Sequence, residues 1–247
     1  MTTDDTEAFS VCDEGADVNH VVAGFATFGL AGLTAVDYLR ERLDLEPCGY
    51  VTTDALPAIT PFENGRPHHH TRILSRPDLD VAVLHGGLFV PPNAANDFSR
   101  AILDWTGRKD VDEVAVLSGV PVAHGPDDHR TFHVATTDYH EARLADLDPA
   151  VPPMANGYLD GVNASLVERG MRTDLAVGVF VTPVHDRVPD ADAAIRLVDT
   201  ITSVYDLDVD TSALEEFAAD VEAYYARLHE RLEELPEEDR VEDRMFM

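Results

Sequence analysis

Four short apolar runs constrain the fold of this chain more than any other feature of its sequence. They cover residues 18–23, 81–87, 114–119 and 175–181. Runs of this length and composition are typical of strands that are buried on both faces of a sheet. Because helical patterns separate the runs, the sequence predicts an α/β fold with a mostly parallel sheet, helices on its faces and further helices at the C-terminus.

A turn rich in glycine joins the first run to the helix that follows it. Gly24, Gly29 and Gly32 lie in this turn, and the helical pattern extends to Leu43. Glycines there allow close packing of the helix on the strand. Alternatively, the free N–H groups of the first helical turn attract an anion. The spacing matches neither the dinucleotide motif nor the Walker loop, which favours the packing interpretation.

Other local patterns predict smaller features. Polar residues precede the first run and include an edge strand around Phe9 to Cys12, residues 56–66 form a long loop, and Asn93 or a neighbour caps the helix that contains Trp105. The predicted organisation is a flexible N-terminal arm at 1–17, an α/β domain at 18–206, a C-terminal helical part at 207–235, and an acidic tether with a hydrophobic tail at 236–247.

The charge of the chain excludes two classes of partner. It has 18 Lys plus Arg against 47 Asp plus Glu, a formal net charge of −29. So anionic a surface repels nucleic acid and anionic membranes. The single lysine is Lys109. An acidic, lysine-poor composition is typical of proteins from salt-loving organisms, where molar salt screens self-repulsion. An acidic interaction face is the competing interpretation.

The two cysteines and the apolar content bear on the location of the protein. Cys12 and Cys48 have neither metal-type nor C-x-x-C spacing, so we expect neither a disulfide scaffold nor a zinc site. The sequence has no signal-peptide pattern and no apolar run near the ~20 residues of a membrane span. We therefore expect a cytoplasmic protein.

The histidines are weak candidates for chemistry. His68, His69 and His70 are adjacent, and adjacent residues of an extended segment point to opposite sides, so a metal site there is disfavoured. His85 ends a predicted parallel strand, where α/β folds place ligands. A structural histidine under a loop remains the preferred interpretation for it.

A serine–histidine–acid set can be drawn from Ser118 and its neighbours in the sequence, but no motif supports it. Ser118 is not in a G-x-S-x-G elbow, and the nearby histidines and acids carry little information in so acidic a chain. One lysine does not supply the cations of phosphoryl transfer. We therefore assign no catalytic, cofactor or metal residue, and the sequence does not support enzymatic activity. The neighbouring residues are His124, Asp127, Asp128 and His129.

The chain finishes on an unusual apolar tripeptide. Met245, Phe246 and Met247 follow a charged tether, whereas chain ends are normally polar. Such a tail can insert its aromatic ring into a pocket of a partner while its carboxylate pairs with a cation or with N–H groups. Docking onto its own domain is the alternative.

The glycine motifs, taken in order, resemble the PAC2 family, the archaeal and bacterial relatives of proteasome assembly chaperones. The resemblance covers roughly residues 18–235 and indicates an archaeal, haloarchaeal-type member. It implies a fold similar to that of purine nucleoside phosphorylases, homo-oligomers, and no established catalytic residues. The motif residues, to which we assign a structural role, are Gly24, Phe25, Gly29, Gly32, Gly86, Gly87, Gly119, Gly157, Gly161 and Asn163.

The resemblance also implies a partner. Some archaeal relatives end in a hydrophobic–tyrosine–any-residue tail that enters pockets between α subunits of the core proteasome. Residues 245–247 match this tail except that Phe246 replaces the tyrosine. The missing hydroxyl removes a hydrogen bond worth ~1 kcal/mol but keeps the burial of the ring. We therefore expect an oligomeric chaperone or adaptor. An enzyme or a nucleoside- or nucleotide-binding protein that uses the glycine turn, His85 and Ser118 is the alternative.

Overall fold

A mixed eight-stranded sheet forms the centre of the molecule. The computed structural model describes residues 8–13, 15, 18–56, 58, 60–122, 129–184 and 190–214. Helices cover both faces of the sheet in these ranges, so the predicted α/β class is confirmed. Residues 215–247, with most of the predicted C-terminal helical part and the whole tail, lie outside the described residues.

The sheet has a parallel centre and antiparallel flanks. Its strands are β1 (Phe9–Asp13), β2 (His20–Phe25), β3 (Glu46–Thr53), β6 (Thr71–Ser75), β7 (Val81–Gly86), β8 (Glu113–Val120), β9 (Phe132–Ala135) and β10 (Ala176–Pro183). They lie in the order β1-β3-β6-β7-β2-β8-β10-β9. The four adjacent strands β7, β2, β8 and β10 pair in parallel, and all other pairs are antiparallel. The four apolar runs therefore form the parallel centre.

The helices form two layers with separate apolar cores. They are α1 (Ala31–Arg42), α2 (Ala95–Arg108), α3 (Thr137–Tyr139), α4 (Gly161–Gly170) and α5 (Ala191–Tyr205), with a 3₁₀ turn at Phe28–Leu30 and a π turn at His140–Leu144. One core lies between the sheet and the pair α1 and α5, and the other lies between the sheet and the pair α2 and α4. Within the described ranges, every helix is too short or too polar to cross a bilayer.

A small hairpin interrupts the segment that was expected to be a long loop. Strands β4 (Phe62–Glu63) and β5 (Arg66–Pro67) are antiparallel, and a two-residue turn joins them. Asn64 and Gly65 both have positive φ, at 50° and 76°. This is the conformation that an Asn-Gly turn favours between antiparallel strands. The loop prediction for residues 56–66 is therefore wrong at its C-terminal end.

Part of the predicted N-terminal arm belongs to the sheet. Strand β1 pairs with β3 at the sheet edge, where an edge strand was expected. Phe9 is buried against Phe98 of α2, with the rings edge to face. Asp13 accepts a hydrogen bond from the Trp105 ring at 3.2 Å and pairs with Lys109 at 2.8 Å. These contacts fasten β1 to α2.

Helix α2 begins without the side-chain cap that was predicted. Its N-cap residue is Ala94, and no side chain in the described residues caps it. A turn precedes the helix instead, in which the N–H of Ala94 donates to the carbonyl of Pro91 at 2.9 Å. Asn93 is therefore not the cap.

The amino ends of the parallel strands carry a buried charged network. Glu113 begins β8 and is 7% exposed. Its carboxylate accepts a hydrogen bond from Arg143 at 2.7 Å and lies 3.5 Å from the ring of His20, which begins β2. The Arg143 guanidinium also lies 4.8 Å from the ring centre of Tyr205. Burial raises the pKa of Tyr205, so its hydroxyl stays neutral in this network.

Candidate functional site

The glycine turn after β2 packs backbone against backbone. A Cβ atom on Gly24 would overlap the carbonyl oxygen of Gly32, and one on Gly32 would overlap the carbonyl oxygen of Leu117 in β8. Helix α1 therefore lies directly against the two central strands. This geometry supports the packing interpretation of Gly24 and Gly32, because neighbouring backbone fills the space where a ligand would approach them.

Gly29 and Gly119 bring a further segment close to this turn. Gly29 has a φ of 65°, in the left-handed region that favours glycine. A Cβ atom there would lie 2.8 Å from the Val184 side chain, and one on Gly119 would lie 2.6 Å from the carbonyl oxygen of Phe28. The carbonyl of Gly29 also accepts a hydrogen bond from the N–H of Asp190 at 2.9 Å. The turn is thus joined to the C-terminal end of β8 and to the segment that follows β10.

The remaining motif glycines fall into two groups. A Cβ atom on Gly86 would overlap the ring of Phe25, and the N–H of Gly87 donates to the carbonyl of His70 at 2.8 Å. By contrast, a Cβ atom on Gly157 or Gly161 would have no described atom within 4 Å. Gly161 has a φ of 54° where α4 begins, so conformation and not crowding requires glycine there.

A cavity of about 200 Å³ opens at the carboxyl ends of the central strands. It lies on the face of the sheet that α2 and α4 cover. The connections that leave β2 and β7 run to opposite faces of the sheet, since α1 packs in one layer and α2 in the other. α/β folds bind ligands where the connections diverge in this way. The cavity is lined by residues 25–28, 89, 90, 92, 118, 119 and 160–163.

Three residues with neutral polar side chains, Thr27, Ser118 and Asn163, line this cavity. Ser118 ends β8 and is 5% exposed, and its hydroxyl accepts a hydrogen bond from the Asn163 amide of α4 at 3.0 Å. Thr27, in the turn after β2, has a buried hydroxyl without a hydrogen-bond partner among the described residues. Ser118 and Asn163 come from separate elements, β8 and α4, and meet on one wall of the cavity, whereas the Thr27 hydroxyl has almost no exposed surface. The cavity can therefore both donate and accept hydrogen bonds.

His85 lies on the other face of the sheet from Ser118. It faces α1, where its ring is 3.7 Å from the carboxylate of Asp37, and its strand partner is Arg72. Burial, with a further contribution from the positive charge of Arg72, lowers the pKa of His85 to about 4. The alternative hypothesis that joined His85 and Ser118 in one site is therefore wrong, because the sheet separates them.

The three adjacent histidines make separate local contacts. The ring of His69 stacks on Tyr50 with 3.7 Å between ring centres, and His70 hydrogen bonds to Thr71 at 2.9 Å. Burial lowers the pKa of His70. Across the described ranges, no three His, Cys, Asp or Glu side chains come together as metal ligands. His68 contacts the carbonyl of His69 at 3.0 Å.

Several residues considered from sequence lie outside the described residues. They are His124, Asp127, Asp128, Met245, Phe246 and Met247. The described partner of the Ser118 hydroxyl is Asn163, so the serine belongs to a polar pair and not to a described histidine.

Three residues of the cavity are not among those predicted from the sequence, namely Thr27, Phe28 and Phe89. The two rings are 57% and 62% exposed, which is unusual for phenylalanine. A signal was present for each of them, because Thr27 and Phe28 lie inside the glycine turn and Phe89 follows the glycines that end β7.

The model of the PAC2 family matches residues 21–229. The chain belongs to the PAC2 family. The family recognised from the glycine motifs is thus confirmed, and the match includes every motif residue from Gly24 to Asn163. Among functionally curated proteins, no significant match was found.

Solved PAC2-type structures share the fold of this chain. Pyrococcus furiosus PbaA, an archaeal homolog of proteasome-assembly chaperone, is 22% identical, with a TM-score of 0.78 over 92% of this chain and 98% of that one. Pyrococcus furiosus PbaB, an archaeal proteasome activator, is 16% identical, with a TM-score of 0.75 over 91% and 100%. A proteasome-assembly chaperone homologue of Mycobacterium tuberculosis is 21% identical, with a TM-score of 0.62 over 88% and 97%.

Proposed function

We propose that this chain is a chaperone-like or adaptor protein of the proteasome. The observation that carries the proposal is the PAC2 family match over residues 21–229. It is supported by the fold shared with PbaA and PbaB, which are described as a homolog of a proteasome-assembly chaperone and as a proteasome activator. The partner is the α-subunit ring of a core proteasome.

The contact with the α ring is made by residues 245–247. An apolar tripeptide with a terminal carboxylate suits a pocket that offers an apolar wall and a cation or N–H groups. Three residues give a weak contact by themselves. The protein therefore acts as a homo-oligomer, in which several tails raise the overall affinity through effective concentration.

This arrangement requires self-association, which is tested separately from the tail. Light scattering coupled to size exclusion measures the oligomeric state directly, and a monomer at micromolar concentration would remove the oligomer from the proposal.

The tail is tested by retention on immobilised core proteasome in molar KCl, because the net charge of −29 is appropriate to high salt. We expect a chain that lacks residues 245–247 to lose most of its retention. Phe246→Ser should weaken binding more than tenfold, and Phe246→Tyr should strengthen it severalfold by restoring a hydrogen bond. Met171→Ser, which changes an exposed apolar residue elsewhere, is the matched control.

Equal retention of the full chain and the truncated chain would exclude the tail from the mechanism. Absence of retention for both would exclude the proteasome as the partner.

A further inference from the structure

The cavity at the carboxyl ends of the central strands has the properties of a site for a small molecule, a role separate from proteasome binding. Its volume of about 200 Å³ is below the ~300 Å³ at which pockets for drug-sized ligands begin. A dinucleotide or a peptide therefore does not fit inside it. A molecule of one or two rings does.

Two polar side chains of the cavity can bind one ligand edge. Ser118 accepts a hydrogen bond from the amide nitrogen of Asn163 at 3.0 Å, and a hydroxyl that accepts one bond can also donate one. The amide oxygen of Asn163 is an acceptor. A ligand edge that combines a donor and an acceptor therefore pairs with Ser118 and Asn163 together.

The start of helix α4 adds backbone donors to the same wall. Gly161, Val162 and Asn163 line the cavity and form the first turn of the helix, whose N–H groups have no intrahelical acceptor. The side chain of Asp160 occupies the N-cap position but does not cap these groups within the described structure. A carbonyl oxygen of a ligand is the natural acceptor for them.

Aromatic rings supply the apolar part of the site. Phe28 and Phe89 both line the cavity although 57% and 62% of their surface is exposed. A flat ligand would cover them and gain ring contacts in addition to the burial of apolar area. The exposed rings therefore favour a planar ligand over a branched or flexible one.

The charge of the site excludes anions. Among the described lining residues, the charged side chain is that of Asp160, and the whole chain carries a net charge of −29. A phosphate or carboxylate would meet this negative charge without a described cation to offset it. We propose that the cavity binds a small, uncharged, planar molecule whose edge both donates and accepts hydrogen bonds, of the class of aromatic amides and single heterocyclic bases.

The test compares benzamide with benzoate, which have the same shape but differ in charge and in hydrogen-bond donors. Ligand-observed NMR on the full-length protein in molar KCl measures both affinities. We expect benzamide to bind with a dissociation constant on the order of 1 mM, which is reasonable for so small a ligand. Benzoate should bind at least about tenfold more weakly. No binding of benzamide, or equal binding of the two, would overturn the proposal.

Variants locate the binding in the cavity. Ser118→Ala removes the hydroxyl that donates to the ligand, so benzamide affinity should fall about fivefold, the value of one hydrogen bond. Ser99→Ala is the matched control, because it removes a buried hydroxyl of α2 that lies outside the cavity. Unchanged affinity in Ser118→Ala would overturn the assignment.

Two further variants test the same assignment independently. Phe89→Ala changes an exposed residue and should fold even if Ser118→Ala does not, and we expect it to weaken benzamide binding severalfold. The chain without residues 245–247 should bind benzamide as the full chain does. The ligand site and the proteasome contact can therefore fail or succeed separately.

Discussion

The two ends of the four parallel strands bury their polar groups in different ways. At the amino end, Glu113 is paired with Arg143 at 2.7 Å, and the guanidinium also covers the Tyr205 ring. At the carboxyl end, the neutral pair of Ser118 and Asn163 lies on the wall of a cavity. Paired charges close the amino end, whereas polar groups at the carboxyl end remain available. The comparison separates residues that maintain the fold from residues that are available to a ligand.

At the carboxyl ends of the strands, the two faces of the sheet also differ from each other. On the α1 face, Gly24 and Gly32 bring backbone into contact with backbone, and no space remains at the turn. On the α4 face, the side chains of Ser118 and Asn163 border an open cavity. Backbone contact at Gly24 and Gly32 therefore characterises the closed face, and small polar side chains with exposed rings border the open face.

The largest expected effect tests the closed face. Gly32→Ala would place a Cβ atom against the Leu117 carbonyl, so α1 must move away from β8. We expect the free energy of unfolding to fall by more than about 3 kcal/mol, measured by chemical denaturation in molar KCl. Gly107→Ala is the control, since Gly107 is in α2 with open space around it and alanine favours helix, giving a gain of about 0.5–1 kcal/mol. A fold that tolerates Gly32→Ala as well as the control would show that the contact is not tight.

The paired charges of the amino end come next in size. Arg143→Met leaves the buried carboxylate of Glu113 without its cation, and we expect a loss of about 3 kcal/mol of unfolding free energy. Adding Glu113→Gln should recover part of this loss, because the uncompensated charge is then removed. Arg100→Met breaks the exposed pair with Asp97 and should cost less than about 1 kcal/mol. Equal losses in Arg143→Met and Arg100→Met would contradict a closed amino end.

His85 should make the α1 face sensitive to acid. Its pKa is lowered from 6.5 to about 4 in the folded state, so the unfolded chain takes up the proton first as the pH falls. The stability that a neutral His85 provides is complete above about pH 6.5 and declines as the pH falls towards about 4, by about 2 kcal/mol between about pH 7 and pH 5. Chemical denaturation across this pH range measures the decline in the free energy of unfolding. The decline should be smaller by about this amount in His85→Gln. The exposed His140 provides the control variant His140→Gln, and an identical decline in wild type and His85→Gln would contradict the burial of His85.

The parallel centre of the fold could be predicted from the sequence because burial on both faces demands continuous apolar runs. β2, β7, β8 and β10 have this composition. The antiparallel flanks follow from which strands meet in space, which composition does not encode. The hairpin at Asn64 and Gly65 is different, since the Asn-Gly pair was a usable signal that was interpreted only as part of a loop.

Only the location of the candidate site could be predicted from the sequence. The carboxyl ends of parallel strands are a general place for ligands. The pair of Ser118 and Asn163 joins residues 45 positions apart, and only the packing of α4 on the sheet brings them together. Sequence also could not distinguish Gly32, which is closely packed, from Gly161, which is not, because both are simply glycine until the neighbours are placed.

The smallest expected effect tests the open face. Phe89→Ala should change the free energy of unfolding by less than about 0.5 kcal/mol, because most of the ring is already exposed. Phe98→Ala, in the core on the same side of the sheet and 1% exposed, should cost about 4 kcal/mol in the same denaturation experiment. A loss above about 1 kcal/mol in Phe89→Ala would place this ring in the core and remove the difference between the two faces. A near-zero change means that the stability of the fold does not account for a phenylalanine at this position, as expected of a ring that remains available to a ligand on the open face.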